Sequence, residues 1–135
     1  MRFFMPIERI PTVTAQQKRV TFNKKTGKPI HYDSAELAAA RELYRSLLAQ
    51  HRPAELIPDP IRLEVIWLFL TKDKKRHMKL RTSPPDSENL VKALKDAMTD
   101  VGFWKDDAHV ATENYDRRWT LGPSGIFINT YHVEE

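Results

Sequence analysis

Ten residues in the middle of the chain constrain the fold more than any others. Ile61 to Leu70 reads IRLEVIWLFL, alternating at first and then apolar without a break. That pattern is expected of a central strand, paired on both edges and covered on its faces. The flanking sequence must therefore supply partner strands and covering helices. With 135 residues, the chain suits a single domain, since domains typically run to roughly 100–150 residues. A chain of this size buries about two-thirds of its unfolded surface and needs no disulfide or structural metal to fold. The sequence contains no cysteine, which excludes a disulfide framework, a Cys-ligated zinc site and a thiol nucleophile.

The flanks supply those partners. Phe3 to Ile10 is apolar with a proline inside it and reads as a first strand at or near a sheet edge, because proline cannot donate to a ladder. Residues 16–32 alternate basic and apolar around Lys25-Thr26-Gly27-Lys28, which suggests a basic hairpin or a mobile arm. Asp33-Ser34 caps a helix in which Leu37, Ala40, Leu43, Tyr44, Leu47 and Leu48 recur at helical spacing until His51-Arg52-Pro53. Pro53, Pro58 and Pro60 mark a stiff connection into the central strand. After it, a basic loop runs to Pro84-Pro85, and Asp86 or Ser87 opens a second helix. Its apolar face is Leu90, Ala93, Leu94, Ala97, Met98 and Val101, and Gly102 sits just past its end. Ala108 to Thr120 and Ile126 to Val133 read as two strands joined by a turn at Leu121–Gly125. The expected fold is α+β, one domain over residues 1–135, with two main helices packed on a mixed β-sheet. Trp67, Trp104 and Trp119 read as core or rim residues rather than base-stacking platforms.

No apolar run approaches the roughly 20 residues needed to span a bilayer, and no signal-peptide core follows Met1. With the absence of cysteine, this leads to the expectation of a cytoplasmic protein with no membrane partner. The net charge of +4 is small, but it is a sum of unlike segments. Arg2, Arg9, Lys18, Arg19, Lys24, Lys25 and Lys28 stand against Glu8 alone. Lys72, Lys74, Lys75, Arg76, Lys79 and Arg81, with His77, stand against Asp73 alone. The acids gather between Asp86 and Asp116. A single Lys/Arg run is equally well a solvated loop, but two runs flanking an acidic cluster favour phosphate binding. The candidate DNA-binding residues are Lys18, Arg19, Lys24, Lys25, Lys72, Lys74, Lys75, Arg76, Lys79 and Arg81.

Two short stretches carry the chemistry: Pro85-Asp86-Ser87-Glu88-Asn89-Leu90-Val91-Lys92, and Trp104-Lys105-Asp106-Asp107. Mg²⁺ takes oxygen ligands, usually one or two carboxylates completed by phosphate and water. Asp86 and Glu88 stand two apart where the helix begins and can converge there. Asp106 or Asp107 could return to them if the intervening loop folds back. Lys92 lies about one turn after Glu88 and could reach a scissile phosphate, where its charge would stabilise the developing anion. Taken singly, each residue has a plainer role. Asp86 can be an N-cap, Glu88 a complement to the helix dipole, Asn89 another cap, Asp106-Asp107 a turn pair, and Lys92 an i,i+4 partner of Asp96. His109 lacks the companions a transition-metal site requires and reads as structural. Taken together, closely packed carboxylates need a compensating cation, and acids for metal with a lysine for phosphate point to a nuclease.

The stretch PPDSENLVKALKDAMTDVGFWKDDAHV resembles the central motif of the RusA family of Holliday junction resolvases, common in prophages. That motif runs Pro-Asp-x-Asp-Asn-Leu-x-Lys, then a helix with an internal Asp, then Gly-Phe-Trp-x-Asp-Asp. The likeness extends to the first strand, the basic arm around Gln16-Gln17-Lys18-Arg19, the helix after His31-Tyr32-Asp33 and the apolar strand. The resemblance implies a RusA-like fold and a dimeric, Mg²⁺-dependent endonuclease, with Mn²⁺ as a second candidate ion. Such an enzyme binds four-way DNA junctions and nicks two strands symmetrically during recombination and repair. It implies metal binding by Asp86, Glu88 and Asp107 with Asp106 adjacent, and catalysis by Asp86, Glu88, Asp107 and Lys92. One position departs from the pattern: the family's second acid is usually Asp, and here it is Glu88. That substitution keeps open a second reading, a non-catalytic protein of prophage origin that binds branched DNA.

Overall fold

The computed structural model describes residues 1–12, 19–22, 29–32 and 35–135, with only the backbone of 19–22 and 29–32. Three strands precede or flank the first helix in sequence: β1 (Arg2–Pro6), β2 (Arg19–Phe22) and β3 (Pro29–Tyr32). Then come α1 (Ala35–Ala49), β4 (Ile61–Leu70), α2 (Ser87–Val101), β5 (Val110–Thr120) and β6 (Gly125–His132). β2 and β3 pair antiparallel, Arg19 opposite Tyr32, so the hairpin alternative for the basic arm is the one present. Its turn, with Lys24 and Lys25, lies outside the described residues, as do Lys18 and the Asp33-Ser34 cap.

The other four strands form one mixed sheet in the order β1-β6-β4-β5. β4 pairs antiparallel with β6 and parallel with β5. A parallel neighbour requires a crossover, and α2 supplies it. Ile61, Leu63, Val65, Trp67 and Phe69 alternate as the buried face of β4 and pack with Leu90, Leu94 and Met98 of α2 and with Tyr44 and Leu48 of α1. The uninterrupted apolar second half of β4 is buried on that face only. Ile66 and Leu68 on the other face are half-buried, and Leu70 is exposed.

β1 stops at Pro6, earlier than its apolar pattern suggests. Pro6 offers no N–H to the ladder, and beyond it Ile7 N donates to Ser124 O at 3.0 Å while Ser124 Oγ donates to Ile7 O at 2.7 Å. α1 and α2 lie against each other, and Arg45 of α1 meets Asp100 of α2 at 2.8 Å. Trp67 and Trp104 are fully buried, and Trp119 is partly so, dividing the three tryptophans between core and rim. Among the described residues no helix is long and apolar enough to cross a membrane.

Candidate active site

α2 begins and ends as its sequence dictates. Asp86 is the N-cap, with extended backbone and Oδ1 accepting from Asn89 N at 3.0 Å. Gly102 closes the helix in the left-handed region (φ 105°), where glycine carries no Cβ penalty, and donates its N–H to Met98 O. The chain then turns back. Phe103 and Trp104 enter the core, and Trp104 Nε1 donates to Thr99 Oγ1 at 2.7 Å. This reversal brings Asp107 to a cavity that residues from the first half of α2 also line.

The result is an open cavity of about 830 Å³ lined by both acidic stretches. Asp86, Glu88 and Asp107 bring carboxylates to it, and Lys92 brings an ammonium group one turn along the helix. The plainer roles and the joint role thus coexist: Asp86 caps α2 and also faces the cavity. Among the described residues no three His, Asp or Glu side chains are close enough to enclose an ion by themselves.

Asp106 and Asp107 part company. Asp106 caps the short 3₁₀ turn at Asp107–His109, its Oδ1 accepting from Ala108 N at 2.9 Å. It lines a second groove, of about 480 Å³, together with Arg41, Arg45, Asp96 and Asp100, whereas Asp107 lines both. Asp96, the acid inside the helix, faces that second groove. Its carboxyl is pushed up by burial first and by the charge of Asp107 second.

Three further cavity residues were not singled out by sequence reasoning: Lys95, Glu113 and Tyr115. Lys95 Nζ bonds Glu113 Oε1 at 2.5 Å. Burial alone would raise the Glu113 carboxyl, but the bond from Lys95, helped by the nearby Tyr115 hydroxyl, outweighs it and holds it low. Burial, and then the Glu113 carboxylate, push the Tyr115 phenol up, so it stays neutral. Lys95 was readable in principle, three residues after Lys92 on the same helix. Glu113 and Tyr115 carry no local signal, because only the parallel β4–β5 pairing brings them to α2.

The basic segment after β4 is ordered as an extension of the sheet. Met78 N donates to Trp119 O at 2.8 Å, Trp119 N to Lys79 O at 3.0 Å and Arg81 N to Arg117 O at 2.7 Å. Asp73 caps its 3₁₀ turn by accepting from Lys75 N at 2.9 Å. Lys72, Lys74, Lys75, Arg76 and Lys79 are exposed on this braced frame. Arg81 differs. Its guanidinium lies 4.3 Å from the centre of the Phe69 ring and 4.7 Å from that of Trp119. Burial and then the neighbouring Arg117 charge pull it down from its ordinary value. Arg81 Nε donates to Ser83 Oγ at 3.1 Å and Nη2 to Pro84 O, so two of its donors serve the loop itself.

Arg117 completes that frame from β5. Its Nε donates to Ser87 Oγ at 3.0 Å, and its Nη1 to Ser83 O at 2.7 Å and Pro85 O at 2.6 Å. No motif marked it in the sequence.

Compared with known proteins, residues 10–130 match the family model described as endodeoxyribonuclease RusA. The chain belongs to the RusA family. It is similar to a RusA protein of Lactococcus phage r1t, named crossover junction endodeoxyribonuclease, with 32% identity over 110 residues and 80% of each chain covered. The stretch matched to the RusA model contains the whole cavity, both helices and the braced basic segment.

Proposed function

We propose that this protein is a structure-selective, Mg²⁺-dependent endodeoxyribonuclease that resolves four-way DNA junctions by symmetric nicking, acting as a homodimer in the cytoplasm. The observation that carries this reading is the placement of Asp86, Glu88, Asp107 and Lys92 around one cavity, next to a rigid cationic segment. The RusA family supplies the reaction class, and the named activity of the phage r1t relative supplies the substrate.

The donor set suits Mg²⁺. All its atoms are hard oxygens, and Mg²⁺ characteristically uses one or two carboxylates and leaves the other positions to water and phosphate. Cavity carboxylates that do not enclose an ion unaided are compatible with that habit. One or two of Asp86, Glu88 and Asp107 would hold the ion at a time, with Mn²⁺ as a substitute. Asp106, occupied by its cap and facing the second groove, would act from outside that set. When bound, the ion supplies Lewis acidity and an activated water.

The remaining work falls to the chain. Lys92, exposed on α2, stabilises charge that develops on the phosphate oxygens or on the leaving oxygen. Lys95 is held in its ion pair with Glu113, which keeps a second cation at the cavity wall. Lys72, Lys74, Lys75, Arg76 and Lys79 contact phosphates and fix the position of the DNA without reading sequence. Lys18, Arg19, Lys24 and Lys25 would add phosphate contacts of their own. Branch recognition then rests on shape and deformability. Two equivalent cuts in a nearly two-fold junction call for two identical sites related by C2 symmetry.

A synthetic four-way junction incubated with the protein in Mg²⁺ tests the proposal, with paired nicks near the branch as the expected product. The second reading, a non-catalytic binder of branched DNA, rests on Glu88. Its extra methylene moves the carboxylate by roughly one C–C bond relative to Asp. A shifted junction band with no nicked product, in both Mg²⁺ and Mn²⁺, would favour that reading and remove the nuclease.

A further inference from the structure

The segment leading into Asp86 contains no backbone donor at Pro84 or Pro85, so it cannot be fixed by strand pairing. Two guanidinium groups hold it instead. The carbonyls of Ser83, Pro84 and Pro85 each accept from one of them: Arg117 takes the first and third, and Arg81 the second. The Arg117 fork also straddles Asp86, with Nη1 on Pro85 O before it and Nε on Ser87 Oγ after it. Among the described residues, neither arginine has a carboxylate partner; their donors go to neutral acceptors on this one segment. Two cations kept close together without a counter-ion are costly on charge grounds alone. What the pair provides is geometric: a planar fork fixes several acceptors at once, which a lysine cannot do.

We infer that Arg117 is a positioning residue for Asp86, holding the Pro85 carbonyl before that carboxylate and the Ser87 hydroxyl after it, and thereby its direction into the cavity. The inference rests on the reading of Asp86 as a metal-binding acid. Arg117 acts from behind the ligand, as the partners of metal ligands do, and loss of such partners typically costs about 10–100-fold in metal affinity or activity.

The test uses the full chain with Arg117→Lys and Arg117→Ala. Three quantities are measured: Mn²⁺ affinity by calorimetry, single-turnover junction cleavage, and metal-free junction affinity across a salt series. A positioning role predicts that both variants lose Mn²⁺ affinity and cleavage by about 10–100-fold, with junction affinity and its salt slope unchanged. Lysine does not rescue, because the charge is restored and the fork is not. Full rescue by lysine, or a reduced salt slope in the alanine variant, identifies a phosphate contact and overturns the inference. Wild-type Mn²⁺ affinity in both variants also overturns it. If the alanine variant does not fold, Ser87→Ala removes one acceptor and leaves the arginine in place. A smaller loss in the same direction supports the inference, and no loss rejects it. A wild-type protein that neither binds Mn²⁺ nor cleaves rejects the reading of Asp86 itself, whereas a competent wild type with unaffected variants rejects only the role of Arg117.

Discussion

Trp104 donates its indole N–H to Thr99 Oγ1 at 2.7 Å, and Thr99 passes its own hydroxyl hydrogen to Lys95 O at 2.9 Å. The turn that follows α2 is thereby fastened to the last turns of the helix, and Asp107 stands three residues beyond the fastening. Trp104→Phe keeps most of the ring and removes the bond. It should cost about 1–3 kcal/mol in denaturant unfolding and lower the cleavage rate, while junction affinity holds.

Asp86→Asn and Asp107→Asn should each abolish cleavage in Mg²⁺ with junction binding retained in gel-shift assays. In both cases an acceptor remains but the anionic charge is lost. Binding lost in parallel with cleavage in both folded variants would argue against metal roles for these acids.

Lys92→Ala should slow single-turnover cleavage by about 10²–10³-fold, the range for removal of one group that stabilises transition-state charge. Junction affinity should change far less. Equal losses in both would move Lys92 from the reacting phosphate to a neighbouring one.

The central strand was readable from its own residues, and so was α2, because a capping acid, an apolar face and a terminal glycine are all local signals. What depended on distant pairing was not. Nothing near β6 announces that it lies between β1 and β4, or that β5 runs parallel to β4 and carries Glu113 and Tyr115 to the cavity. Charge counting grouped Arg81 with the exposed lysines because a run of cations does not reveal which guanidinium also bonds a carbonyl and a hydroxyl of its own loop. Adjacent acids were equally hard to tell apart. Asp106 and Asp107 differ in placement through the turn that Asp106 caps. The return of Asp107 to α2 was a conjecture at the level of sequence, since it depends on how Phe103 and Trp104 are buried.

The salt dependence of junction binding should separate the exposed cations from Arg81. Each of Lys72→Ala, Lys74→Ala, Lys75→Ala and Lys79→Ala that removes a phosphate contact should weaken binding and reduce the salt slope by about one. Arg81→Ala should chiefly impair cleavage, because it releases Ser83 and Pro84. A slope loss for Arg81→Ala as large as for the lysines would show that one of its remaining donors reaches DNA.

Gly125→Ala should be severely destabilising. A Cβ there would lie 2.2 Å from Met5 O, and the backbone has φ +155°. Because that oxygen belongs to the paired strand, it cannot swing aside, and the cost should exceed about 3 kcal/mol by chemical denaturation. Near-native stability would mean that β1 and β6 pair in another register.

The parallel strands β4 and β5 are joined through a helix whose two ends carry the two halves of the candidate site. A helix fixes azimuth as well as distance, since each residue advances the direction of a side chain by about 100°. Deleting one residue between Ser87 and Val101 would therefore turn every later side chain a quarter-circle out of phase with those before it. Lys92 and the apolar face could not both remain where they are. α2 is in this sense a vernier: point substitutions on its exposed side are tolerable, but any change in its length puts the fold and the chemistry out of step together.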